Sequence, residues 1–96
     1  MSKDVRDRDK VMKLYKIYML ELSDSSIYTG IATDVGRRIK DHERGHGSTY
    51  AYNRQPFNLI WISKLSYCYK DAAKMERYIK KMTHRSKWIL AKGRIL

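Results

Sequence analysis

Residues 15–44 read YKIYMLELSDSSIYTGIATDVGRRIKDHER, and the fold turns on how this stretch is parsed. Lys16-Ile17-Tyr18 and Tyr28-Thr29-Gly30 sit in two runs of aromatic and aliphatic residues, separated by Ser23-Asp24-Ser25-Ser26. So short a polar connection predicts a turn and makes the two runs an antiparallel hairpin. Residues 11–22 are apolar on both parities beyond Ile17, the pattern of a central strand covered on both faces. Tyr18 and Tyr28 both carry even numbers. Any register with an even pairing sum therefore sets them on one face, as direct or diagonal neighbours within aromatic reach. Gly30, inside the second strand, predicts close approach by another backbone or a ligand.

A helix is expected next, with Thr33 or Asp34 as N-cap and Gly45 just past its end. Its spacing puts Val35, Ile39 and His42 on one stripe, with Arg38 at the edge one turn before His42. Arg38 and His42 should thus look toward the sheet. Two phenols, a guanidinium and an imidazole come together on one hairpin and one helix. That density of polar groups points to chemistry on phosphate.

Working outward, residues 45–48 read as a flexible loop and residues 49–55 as a polar, aromatic connection. Arg54 within it either touches a nucleic-acid backbone or packs against its own tyrosines. Residues 57–65 have the content of a third strand. Asp71 is the expected cap of a helix whose apolar positions are Ala72, Met75, Ile79 and Met82. Glu76 falls on that apolar stripe, where a carboxylate needs a cation partner or a metal. A short helix follows Thr83 and ends near Gly93. The fold expected is α/β (α+β): a small three-stranded, mainly antiparallel sheet flanked by helices, in the order β-β-α-β-α-α. Residues 1–10 alternate acid and base and are expected to be a mobile tail, leaving residues 11–96 as a single domain.

The net charge of +11 arises from 21 Lys and Arg against 10 Asp and Glu, and it is unevenly spread. After Glu76 there are seven basic residues and no acid. Such a surplus suggests a polyanion, nucleic acid being the commonest, with Arg54, Lys80, Lys81, Arg85 and Lys87 as candidate contacts. A single Cys68 excludes an internal disulfide and a thiolate-rich zinc site, and fits a reducing compartment, cytoplasm or nucleoid. Charged residues interrupt the longest apolar run, so no membrane span or signal peptide is expected.

In order and spacing these residues resemble the GIY-YIG nuclease superfamily, specifically short standalone members related to the nuclease domain of the bacterial excision-repair incision subunit. Lys16-Ile17-Tyr18 stands at the first motif and Tyr28-Thr29-Gly30 at the second. Arg38 follows ten residues after Tyr28, and His42 four residues later. Glu76, in a Glu-x-x-Ile-Lys-Lys context, matches the family's metal-binding carboxylate. The resemblance covers about residues 14–92. The sequence departs from the pattern in Lys16 for the leading Gly, in Ile31 where several members have Lys, and in having no Asn after Asn58.

The resemblance implies metal-dependent phosphodiester hydrolysis, chiefly of DNA in repair, recombination or restriction-like processing. Tyr18, Tyr28, Arg38, His42 and Glu76 would be catalytic, with one Mg²⁺, or Mn²⁺ in its place, on Glu76. Arg38 would stabilise charge on phosphate oxygens. Tyr28, with Tyr18, would orient or deprotonate the attacking water, aided by His42 taking a tyrosine proton. The sequence shows no recognition domain, so specificity is expected to be low or to come from a protein partner. The alternative is a catalytically silent module that only holds nucleic acid.

Overall fold

The computed structural model describes residues 13–93. Among them the elements run β1 (Lys16–Glu21), β2 (Ile27–Ala32), α1 (Val35–Glu43), the single turn α2 (Thr49–Tyr52), β3 (Asn58–Ile62), α3 (Tyr69–Lys80) and α4 (His84–Gly93). The tail expected over residues 1–10 lies outside the described residues. β1 is the middle strand of a sheet ordered β2-β1-β3, and both its pairings are antiparallel. This is the expected class and order, with α2 added inside a connection expected to be irregular. Ser48 accounts for the addition: its hydroxyl accepts from the Ala51 N–H and caps the turn.

β1 buries Ile17, Tyr18, Met19 and Leu20 in succession, which is why its apolar residues do not alternate. Tyr18 pairs with Gly30 and Leu20 with Tyr28, so the pairing sum is even and the two tyrosines are diagonal neighbours on one face. The even-numbered face carries Tyr18, Leu20, Leu22 and Ala32, and α1 and α2 cover it through Val35, Ile39 and Ala51. The opposite face carries Ile17, Met19 and Trp61 under Ile79 of α3 and Leu90 of α4. α3 packs mainly on β2, an edge strand. A helix at an edge can reach past it to the other face, which matters for Glu76.

Three local expectations need correction. The third strand ends at Ile62 rather than running to residue 65. Ser63 ends it: its N–H still donates to the Ile17 carbonyl, but the Ile17 N–H donates to the Ser63 hydroxyl, which donates in turn to the Leu65 carbonyl, so a side chain takes the next rung. Asp71 does not cap α3, because the helix starts at Tyr69 with Cys68 as N-cap and Asp71 lies in the first turn. A carboxylate there still complements the helix dipole. Finally, the close approach at Gly30 is made by a side chain, that of Tyr18.

α1 ends abruptly, and that ending positions the site. Asp34 caps its start by accepting from the Arg37 N–H. At its end the Gly45 N–H donates to the His42 carbonyl and the His46 N–H to the Asp41 carbonyl, a Schellman closure. Gly45 takes the left-handed conformation this needs, with φ 83°. The chain doubles back, and residues 47 and 48 return over His42. Gly45→Ala should therefore destabilise the fold by about 1 kcal/mol, lowering Tm by roughly 4–8 °C. Gly36→Ala, in the first turns of the same helix, should instead leave Tm unchanged or raise it. Thermal unfolding of the two variants beside the wild type checks the opposed signs.

Candidate active site

The site is built on the even-numbered face, at the junction of β1, β2 and α1. Tyr18 is almost fully buried, and its phenol lies across Gly30. A Cβ at residue 30 would stand 2.6 Å from the Tyr18 hydroxyl and 2.7 Å from Cζ. The glycine of the second tripeptide is thus the seat of the first tripeptide's tyrosine. A methyl group there would have to expel a ring the core cannot release.

His42 is fully buried on α1 and meets Tyr18 directly, with Nε2 2.7 Å from the phenol oxygen. Its other nitrogen settles the direction of that bond. The Ser48 backbone N–H donates to Nδ1 at 3.2 Å. A neutral imidazole has one N–H and one lone pair, and the lone pair is taken. Nε2 therefore carries the hydrogen and donates it to Tyr18, whose own O–H stays free to point elsewhere. A neutral His42 held this way gives Tyr18 a hydrogen bond. Gly47 closes the ring in, since a Cβ there would collide with Nδ1.

Burial pushes the Tyr18 phenol well above its ordinary range; Tyr28 adds to the rise, and Arg38 works against it. Tyr18 is therefore a neutral hydrogen-bond donor near pH 7. Burial likewise holds His42 below the ordinary imidazole value, with the Arg38 charge second and Asp41 opposing. Tyr28 is half-buried, its ring edge-on to His42 at 5.1 Å and 6.4 Å from the Tyr18 ring. Arg38 has 39% of its side chain exposed and keeps only a loose contact with Asp41 at 3.9 Å. Its charge faces the phenol on one side and an open depression of about 370 Å³ on the other. Arg37 borders that depression too.

Glu76 comes from the layer across the sheet. Its carboxylate is near enough for its charge to act on Tyr18, and it pairs with Lys80 at 3.2 Å rather than with Arg38. The Lys80 ammonium lies 6.0 Å above the centre of the Tyr28 ring. Lys80, read from the sequence as a nucleic-acid contact, thus stands beside the five predicted site residues. Lys81 and Arg85 are exposed and Lys87 half-buried, on the α3–α4 side of the sheet away from α1. Arg54 is engaged within the fold: it pairs with Asp24 at 3.0 Å, donates to the Tyr50 carbonyl and stacks on the Tyr50 ring at 3.6 Å. Sequence reading missed Gly47 and Ser48, because it took residues 45–48 as a flexible loop.

No group of three or more His, Cys, Asp and Glu side chains clusters to hold a metal among the described residues. A lone carboxylate does not suit zinc, which takes several nitrogen or sulfur ligands. It does suit Mg²⁺, which keeps most of its waters and accepts one or two carboxylates plus phosphate. Glu76 is the side chain that fits that part.

The buried imidazole also fixes a pH response. Its folded-state pKa lies below the unfolded value of about 6.5, so below that pH the unfolded chain binds the extra proton more readily. Stability should be intact above about pH 6.5 and fall as pH drops toward 5. His42→Phe should be less stable at pH 7 but lose this slope. Denaturant midpoints between pH 7.5 and 5 check it.

Comparison with known proteins accords with this geometry. The sequence profile of the GIY-YIG catalytic domain matches residues 14–88. The chain is 35% identical over 82 residues to the GIY-YIG domain-containing protein 242L of Invertebrate iridescent virus 6, covering 85% of this chain and 83% of that protein. It is 36% identical over 83 residues to a UPF0213 protein of Staphylococcus aureus, covering 86% of this chain and the whole of that protein. The solution NMR structure of a UPF0213 protein from Bacillus halodurans superposes with a TM-score of 0.51 at 36% identity, covering 82% of this chain and 83% of that one. With most of its length matched, site included, the chain belongs to the GIY-YIG family, among relatives as short as itself.

Proposed function

We propose that this protein hydrolyses phosphodiester bonds in nucleic acid, with DNA as the leading substrate and a divalent ion held by Glu76. The observation that carries the reading is the buried Tyr18–His42 pair, which sets a phenol and an imidazole directly behind Arg38 and Tyr28. The net charge of +11 supports a polyanionic substrate.

Each residue then has a part. Tyr18, buried with Gly30 beneath and His42 behind, backs the groups that meet the substrate and the attacking water. Tyr28 stands at the mouth, beside the Lys80 ammonium, and orients that water. Arg38 meets the non-bridging oxygens as negative charge grows on them. A divalent ion on Glu76 would draw charge from the phosphate and the leaving oxygen. Lys81, Arg85 and Lys87 would hold flanking backbone, which makes binding salt-dependent.

A second reading, a module that binds nucleic acid without cutting it, draws on the pairing of Glu76 with Lys80, which already neutralises the one carboxylate. Cleavage of plasmid and branched DNA with Mg²⁺, Mn²⁺ or EDTA separates the two. The wild type should cut with either ion and not with EDTA. Glu76→Gln should stop cutting while binding DNA as tightly or slightly more so. Arg38→Ala should bind within a few-fold yet cut on the order of 10²–10³ more slowly, the usual cost of one such donor. A wild type that binds but never cuts would favour the silent module, and full activity in Glu76→Gln would remove the carboxylate from the mechanism.

A further inference from the structure

The Glu76–Lys80 pair resembles an ordinary surface contact four residues apart on a helix, yet its surroundings set it apart. Only 21% of the Glu76 side chain is exposed, so most of what its carboxylate can meet is protein. One flank is the Lys80 ammonium at 3.2 Å. The other is the site, where the Glu76 charge acts on the buried Tyr18 phenol. Lys80 itself has half its side chain exposed and is free to swing.

We propose that Lys80 is a built-in counter-ion on Glu76, which a divalent cation must displace before it can use the carboxylate. The inference rests on the reading of Glu76 as the ion's holder. An ammonium donating to Oε2 takes lone pairs that a hydrated Mg²⁺ or Mn²⁺ would need, and its charge repels a second cation at that distance. The pair is exposed enough to be weak, so displacement is feasible. A fully buried pair would instead lock the site shut. The displaced ammonium has a ready destination. Paired with Glu76 it already lies 6.0 Å above the Tyr28 ring, and on the proposed function a substrate phosphate would bind beside that ring. Phosphate would attract Lys80 off Glu76 just when the ion is wanted. Ion-free protein meanwhile carries no isolated negative charge in the path of a polyanion.

The test is Mn²⁺ binding followed by electron paramagnetic resonance, with no nucleic acid present. It compares wild type, Lys80→Met, Lys80→Arg and Glu76→Gln, each checked for fold by circular dichroism. Lys80→Met should bind Mn²⁺ roughly five- to tenfold more tightly than wild type, and Lys80→Arg, which keeps the charge, within about threefold of it. Glu76→Gln should lose this binding. If Lys80→Met matches wild type while Glu76→Gln loses the ion, the counter-ion proposal falls and the carboxylate assignment stands. If Glu76→Gln matches wild type, including no detectable binding in any of the four proteins, the assignment itself falls and takes the proposal with it.

Discussion

A single hydrogen bond organises this protein: the one His42 Nε2 gives to the Tyr18 hydroxyl, in a direction set by the Ser48 N–H on the far side of the ring. Each neighbouring feature makes that bond possible. Gly30 leaves room for the phenol and Gly47 for the imidazole. The Schellman closure at Gly45 turns the chain so that residue 48 can return over the ring. Ser48 serves twice, since its N–H fixes His42 and its hydroxyl caps α2. Reversing the bond would leave Nδ1–H facing the Ser48 N–H, donor against donor, in a buried place where an unmet donor costs about 1–3 kcal/mol.

The two helical layers divide the labour. α1 presents Arg38 and His42 from above the even-numbered face, and α3, packed against edge strand β2 from the other side, carries Glu76 and Lys80 to the same place. Held on α3, Glu76 leaves the guanidinium with only the loose Asp41 contact among its carboxylate pairings.

Much of this could be read from residue order. The hairpin followed from the short turn and the stripe on α1 from helical spacing, whereas the even pairing sum that sets Tyr18 and Tyr28 on one face was a condition that the register itself supplies. Gly45 as helix stop, and Asp34 of the two candidate caps, are local signals that tertiary packing left alone. What the sequence concealed are contacts between distant positions. Arg54 is occupied by Asp24, thirty residues away, and nothing around either residue announces it. The role of residues 47 and 48 depends on how sharply the chain turns after α1, and composition alone reads there as looseness. At α3, the preference of Asp71 for a cap was overridden by packing that starts the helix at Tyr69. Glu76 is legible as an uneasy carboxylate from its place on an apolar stripe, but that its cation would be a lysine four residues along the same helix is not.

Nuclear magnetic resonance of the imidazole nitrogens in ¹⁵N-histidine-labelled protein at neutral pH tests the central arrangement without any assay of cutting. The His42 ring should be neutral, with a protonated Nε2 and a bare, hydrogen-bonded Nδ1. The same pattern should weaken in Gly47→Ala, where the added methyl displaces the ring. An Nδ1–H tautomer or a charged imidazolium in the wild type would contradict the arrangement, because Tyr18 would then not be held by the bond on which the site is built.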